Sequence, residues 1–429
     1  MNNAGWWLGL CGLLMSLLST ARKNTAPAYH VQQVANGKVY IITQNDAHYT
    51  FDSARYAVFI PDSVTSLQGV FVHQHGCTME GRGIATAFDL QYQAFAKKWN
   101  LAIVGPDLYS AKGNCHDWRN PGSGSGPALI KTLAGIGKIS GHKELAELPW
   151  LLWGHSGGGY WALSMLREYP ERILAVFGYS PAFEPGAYPS AALEVPVMMR
   201  HAGPAGDACC WQTSIREFGK LRSGGGYASI AYTPYQSHNY SYVRYMAIPF
   251  YEAVLRQRLP SKPGAGYAAM RPVDRCKAWL GDTVRYNIYP ERDFPGNKRN
   301  AAWFPDSATA ARWREYVITG TVADHTPPPA PYHVRITDPQ RPEATLTWKA
   351  DADIESGISH FNIYKNDQLI GRFPATGTYQ NFDTNGDDAY PRELPLPEIR
   401  LPHLKDSPGK ISVSTVNLFG LESARTAMP

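Results

Sequence analysis

The sequence predicts an α/β fold, with a mostly parallel central sheet flanked by helices, followed by a separate all-β sandwich. Three observations carry that prediction. From residue 28 to 260, short apolar runs alternate with segments of helical length. Several runs, such as Leu101-Ala102-Ile103-Val104, are apolar at every position, the pattern of strands covered on both faces. After Thr326-Pro327-Pro328-Pro329-Ala330-Pro331 the pattern changes to period-two alternation, which places a half-buried antiparallel sheet behind a stiff extended linker. A chain of 429 residues is long enough for two such domains. The net charge of +5 is spread without a polybasic run, so nucleic acid is not an expected partner.

In order, strands are expected at 39–43, 56–60, 70–73, 101–104, 150–153, 173–177, 195–199 and 227–232, each rich in β-branched or aromatic residues. Helices are expected at 85–98, 126–139, 158–169, 212–221 and 241–259. Leu259-Pro260 and the following Ser261-Lys262-Pro263-Gly264 end the last helix. Residues 261–325 read as an aromatic, loop-rich extension closing in the linker, attached to the first domain. Residues 326–429 read as the sandwich, with strands at 333–336, 344–348, 360–365, 368–373 and 410–416 and a hairpin turn at Asn366-Asp367.

The N-terminus has an apolar run from Trp6 to Leu18, then Ser19 and Ala21 as small residues before Arg22-Lys23. This is the layout of a signal peptide over 1–21, cleaved after Ala21, and it predicts a secreted or periplasmic protein. Arg22-Lys23 on the far side of the run leaves a retained anchor as the alternative. No other segment approaches membrane-spanning length. Beyond the signal, Cys77, Cys115, Cys209, Cys210 and Cys276 remain. One or two disulfides are expected in an oxidising compartment, with Cys77, Cys115 and the Cys209-Cys210 pair each following an apparent strand at one sheet edge.

The sharpest chemical signal is Gly154-His155-Ser156-Gly157-Gly158, preceded by Pro149-Trp150-Leu151-Leu152-Trp153 and followed by Tyr160-Trp161-Ala162-Leu163. A serine between a strand and a helix is held in strained backbone angles, with flanking glycines that let the two elements approach while the hydroxyl points outward. On these residues the chain resembles the α/β-hydrolase superfamily over residues 28–260. The resemblance implies Ser156 as nucleophile, with an acid and then a histidine later in the chain. His238 follows the last expected strand, whereas His116 precedes the serine and His201 precedes the acid. Asp207, after the strand at 195–199, is the implied acid, and Glu184 is its rival. The oxyanion donors implied are the amides of Gly157 and of Cys77, within His73-Gln74-His75-Gly76-Cys77-Thr78, with Thr78 as an alternative to Cys77. His73 and His75 lack a third ligand at metal-binding spacing, and no cofactor is expected.

The sandwich resembles a fibronectin type III domain in its proline-rich entry, Trp348, Tyr364 and the segment Val416-Asn417-Leu418-Phe419-Gly420-Leu421-Glu422-Ser423. A Pro-rich insertion between Gly377 and His403 departs from a minimal version. The expected activity is a serine hydrolase acting on a small-molecule or polymeric ester. A secreted peptidase, or a depolymerase of polyester or acylated polysaccharide, is the alternative. A catalytically silent scaffold carrying a binding sandwich is the reading of a different class. Tyr109, Trp118, Tyr160, Trp211, Tyr235 and Tyr240 end near the expected catalytic edge, so an aromatic, open cleft is expected there.

Overall fold

The computed structural model describes residues 29–77, 82–111, 115–182, 186–208, 210–238, 242–337, 343–375, 379, 398–402 and 409–429. The expected signal segment, Thr78, Glu184, Cys209, Tyr240 and most of the Pro-rich insertion lie outside the described residues.

Nine strands form the central sheet: β1 (Tyr29–Val34), β2 (Gly37–Gln44), β3 (Ser53–Pro61), β4 (Gly69–Gln74), β5 (Leu101–Tyr109), β6 (Trp150–His155), β7 (Ile173–Tyr179), β8 (Val197–His201) and β9 (Ala228–Tyr232). Their spatial order is β1-β2-β3-β5-β4-β6-β7-β8-β9. The pairs from β5–β4 to β8–β9 are parallel, and the three pairs before them are antiparallel. Strand β1 carries no apolar run because it is an almost fully exposed edge, which is why period and composition did not predict it.

The helices associated with this sheet are α1 (Arg82–Thr86), α2 (Leu90–Trp99), α3 (Ser125–Ser140), α4 (Gly157–Glu168), α5 (Ser190–Leu193), α6 (Trp211–Ser223) and α7 (Arg244–Arg258). The continuous apolar strands bury both faces, as a parallel sheet between helix layers requires. Ala102 and Val104 enter one core with Leu129, Leu133, Trp161 and Leu163, while Leu101 and Ile103 enter the other with Phe95, Tyr251 and Leu255. The helix expected over 85–98 is instead broken between α1 and α2. Asp89 is the reason, since its carboxylate accepts the Gln91 and Tyr92 amides at 2.9 and 3.0 Å and so starts a new helix. The same carboxylate holds Arg244 of α7 at 3.0 Å, with the guanidinium stacked over the Tyr92 ring at 4.0 Å.

The extension after residue 260 contains more structure than its loop-like composition suggested. A small sheet of β10 (Trp279–Gly281), β11 (Ile288–Pro290) and β12 (Ala302–Phe304) precedes α8 (Ser307–Thr319). Asp306 caps α8 by accepting the Thr309 amide, and Gly320 ends it at φ 83°. Trp313, Tyr316 and Val317 of α8 lie in the same core as α7. The Trp313 indole N–H donates to the Ile230 carbonyl on β9 at 2.8 Å, so α8 is bonded to the sheet as well as packed on it. Trp313→Ala is expected to cost about 3–5 kcal/mol of unfolding free energy, the range for emptying a fully buried indole site. Urea unfolding followed by far-UV circular dichroism checks it, and a loss below about 1 kcal/mol would mean that α8 contributes little to this core.

The C-terminal strands are β13 (Tyr332–Thr337), β14 (Glu343–Lys349), β15 (His360–Lys365), β16 (Gln368–Phe373), β17 (Glu398–Pro402), β18 (Ile411–Val416) and β19 (Thr426–Ala427). They make two antiparallel sheets, β13-β14-β17 and β16-β15-β18-β19. Side chains from both sheets, including Val334, Leu346, Trp348, Phe361, Ile363 and Val413, share one apolar cluster. Asn366 and Asp367 both have positive φ, 48° and 65°, as a two-residue hairpin turn between β15 and β16 requires. These sheets are fastened to the larger one through α2. Gln91 donates to the Ile354 carbonyl at 3.0 Å, Lys97 pairs with Asp351 at 2.7 Å, and Ala94 enters the C-terminal apolar cluster.

Candidate active site

Ser156 stands between the end of β6 and the start of α4, at φ 52° and ψ −114°. A non-glycine residue in that region costs about 1–3 kcal/mol and persists only when its surroundings hold it. Here the Ser156 amide donates to the Tyr179 carbonyl at 2.8 Å, and its carbonyl accepts the Tyr160 and Ala182 amides, each at 3.1 Å. The glycines after it permit close approach. A Cβ on Gly158 would lie 2.3 Å from the Gln74 carbonyl oxygen at the end of β4. A Cβ on Gly157 would lie 2.2 Å from Cys77 Sγ and 3.5 Å from the Cys77 amide nitrogen. The Cys77 segment, which carries one expected oxyanion donor, therefore lies against Gly157, which carries the other and follows Ser156 in the chain.

Cys77 is disulfide-bonded to Cys115, with 5.1 Å between their Cα atoms, so the loop after β4 is tied to the segment after β5. Cys210 is also disulfide-bonded, and Cys276 is a free, exposed thiol.

Asp207 and His238 come from the loops after β8 and β9. The two loops are joined where the His238 amide donates to the Gly206 carbonyl at 3.1 Å, and the first is folded on itself by the Asp207 amide donating to the Gly203 carbonyl at 2.7 Å. The imidazole Nδ1 of His238 lies 2.8 Å from Asp207 Oδ2, and the ring packs 4.8 Å from the ring of His155, the residue before Ser156. The Asp207 side chain is 1% exposed and that of His238 26%, so the carboxylate is enclosed while the imidazole reaches the surface. Burial alone would raise the Asp207 carboxyl. The hydrogen bond and charge of His238, with His201 and Ser180 adding, hold it below the ordinary carboxylate value instead.

Two buried residues that the sequence reading did not assign to this site support it. Arg200, 0% exposed, donates to Thr233 Oγ1 at 3.1 Å, Gln236 Oε1 at 2.6 Å and the Ser237 carbonyl at 2.9 Å, which fixes the backbone leading into His238. His201, set aside as a base because it precedes the acid, places Nε2 3.3 Å from Asp207 Oδ2. The visible signal was an Arg-His pair closing an otherwise apolar strand, a costly placement unless both side chains find partners. Burial, opposed by Asp207 and aided by Arg200, pushes the His201 imidazole down to about 4. The sign of its effect on stability follows, because the unfolded chain binds that proton near 6.5 and the folded chain only near 4. Stability present above pH 6.5 is therefore lost as pH falls towards 4. A thermal-unfolding series across that window is expected to show a falling Tm, and a flat Tm would contradict a buried neutral His201.

The other singled-out residues fall elsewhere. His73 and His75 do not converge: His73 Nδ1 is 3.2 Å from the Tyr92 hydroxyl, and His75 Nε2 is 3.7 Å from Asp107. Trp118 is 2% exposed and packs against His75, so it belongs to the core and not to a cleft wall. Tyr235 is 57% exposed and donates to backbone carbonyls of α8. Tyr160, one turn after Ser156, carries the Arg119 guanidinium over its ring at 4.7 Å.

Asp207, Cys210 and His238 also form a group of potential metal ligands, but a disulfide-bonded Cys210 has no thiolate to offer. Among the described residues no helix is long and apolar enough to cross a membrane.

No protein-family model and no curated protein matches the sequence. Solved structures similar to the chain include a thermostable esterase at 19% identity, covering 45% of this chain and 54% of that one, with a TM-score of 0.35. An S-formylglutathione hydrolase from Agrobacterium tumefaciens is similar at 13% identity, over 47% and 88% of the two chains, with a TM-score of 0.35. An acetyl xylan esterase from Aspergillus awamori is similar at 15% identity, over 43% and 79%, with a TM-score of 0.32. The chain thus spans about half the length of the first of these.

Proposed function

We propose that this chain is an exported serine hydrolase that cleaves carboxylic esters through an acyl-enzyme. The observation that carries the reading is the strained Ser156 at the β6–α4 joint beside an enclosed Asp207 that holds His238 at 2.8 Å. In the proposed reaction, Ser156 Oγ attacks the ester carbonyl carbon as its proton passes to Nε2 of His238. The carbonyl oxygen becomes an oxyanion between the Gly157 and Cys77 amides. Collapse expels the alkoxide, which takes the proton from His238 and leaves as the alcohol. A water molecule, deprotonated by the same imidazole, then releases the carboxylic acid and restores Ser156. Asp207 remains ionised throughout, holding the proton-bearing Nδ1 and stabilising the transient imidazolium.

The order of Ser156, Asp207 and His238 along the chain supports the α/β-hydrolase reading of residues 28–260. The two-sheet arrangement and the buried Trp348 support reading residues 326–429 as a fibronectin type III-like accessory domain. Export is proposed on the N-terminal sequence. Turnover of soluble p-nitrophenyl acyl esters against peptide anilides tests the reaction class. Ester turnover with little anilide cleavage is expected, and brisk anilide turnover without ester preference would make the protein a peptidase.

A further inference from the structure

Helix α8 belongs to the extension after residue 260, outside the stretch read as the hydrolase unit, yet its C-terminal turn is bonded to the residues that lead into His238. Tyr316 Oη donates to Gln236 Oε1 at 3.2 Å, and Gln236 Nε2 donates to the Gly320 carbonyl at 3.2 Å. One residue earlier, Tyr235 Oη reaches the carbonyls of Tyr316 and Val317 at 3.3 and 3.2 Å. The approach is so close that a Cβ on Gly320, itself at φ 83°, would lie 2.7 Å from Gln236 Nε2.

Gln236 is the joint between α8 and the central sheet. Its buried Oε1 also accepts Arg200 Nη2 from β8 at 2.6 Å, so one carbonyl oxygen takes a donor from each side while the amide nitrogen is used on Gly320. Tyr316 is fully buried, and burial raises its phenol to about 12 against the pull of Arg200, so the hydroxyl remains a donor throughout the neutral range. The Gln236 backbone carries the brace on to the acid loop. A Cβ on Gly206, the residue before Asp207, would lie 1.8 Å from the Gln236 carbonyl oxygen, and the Gly206 carbonyl in turn accepts the His238 amide. An imidazole that must stay within hydrogen-bond reach of both an acid and a nucleophile tolerates little movement, and misplacement by about 1 Å can cost about 10²-fold in rate.

We propose that Tyr316 and Gln236 are positioning residues for the catalytic histidine: together they brace the loop of His238 against α8, which makes the extension part of the catalytic unit. This rests on the reading of Ser156, Asp207 and His238 as the triad.

The test measures thermal unfolding, and kcat and KM on p-nitrophenyl acetate, for Tyr316→Phe, Gln236→Met and Asp306→Ala. Phenylalanine removes only the hydroxyl donor, and methionine keeps the length of glutamine while removing both of its polar groups. Asp306→Ala weakens the same helix at its other end by removing the cap on the Thr309 amide, and so measures what loss of stability in α8 does by itself. A fall in kcat of about threefold to tenfold is expected for Tyr316→Phe and of about tenfold or more for Gln236→Met, each with KM within about twofold. Asp306→Ala is expected to lower Tm and to keep kcat within about twofold of wild type. If Gln236→Met does not fold, the comparison of Tyr316→Phe with Asp306→Ala decides. Wild-type kcat in a folded Tyr316→Phe variant, or an equal loss of kcat in Asp306→Ala, would overturn the proposal. Failure of the triad reading shows separately, in a His238→Ala variant that keeps wild-type turnover.

Discussion

Ser156→Ala is expected to lower kcat on a p-nitrophenyl ester by about 10⁴-fold or more while leaving the fold intact. The size follows from the role proposed for the hydroxyl. Without it no acyl-enzyme forms, and only the amides of Gly157 and Cys77 and substrate binding remain to assist direct attack by water. Stability is expected to hold or rise, because alanine keeps the strained turn but presents a smaller, apolar side chain at φ 52°. Parallel kcat and thermal-unfolding measurements separate loss of chemistry from loss of fold. A variant that retains a tenth of the wild-type rate would remove Ser156 from the mechanism.

The second large effect is expected at the disulfide. Cys77→Ser with Cys115→Ser opens a bridge between residues 38 apart, for which loop-closure entropy predicts a loss of about 4 kcal/mol. The consequence extends to catalysis because Cys77 also carries a proposed oxyanion donor. Its sulfur lies against Gly157, where an added Cβ would meet it at 2.2 Å. Freed of the bridge, the amide is no longer held beside Gly157, and a kcat loss between about tenfold and the 10²–10³-fold cost of deleting an oxyanion donor is expected. Urea unfolding and kcat on the purified double variant check both parts. The variant is preferable to chemical reduction, which would also open the disulfide of Cys210. Wild-type kcat in a destabilised variant would confine the bridge to a structural role.

The parts of this structure that were legible in the sequence are those set by short-range pattern. Leu101-Ala102-Ile103-Val104 announces a strand buried on both faces, and Gly154 to Gly158 announces a turn into a helix, because each feature is complete within a few residues. The break before α2 was also local, but the capping preference of Asp89 was outweighed by the apolar period around it. Helix α8 was hidden among aromatic and turn residues, although Trp313, Tyr316 and Val317 stand at i, i+3 and i+4 between the cap Asp306 and Gly320. The Arg200 network, the His201 contact and the pairing of Cys77 with Cys115 are different in kind. Each joins loops that follow different strands, and their geometry comes from the order in which those strands assemble. No periodicity along the chain records that order. His201 shows the cost of reasoning from chain order alone: it disqualifies the residue as the base, yet the fold brings it to the acid.

Covalent labelling of the purified protein with a fluorophosphonate, followed by peptide mass mapping, tests the central claim most directly. One label per chain is expected, on the peptide containing Ser156, and none in Ser156→Ala. A folded wild-type protein that takes no label, or takes it elsewhere, would contradict an activated nucleophile at the β6–α4 joint.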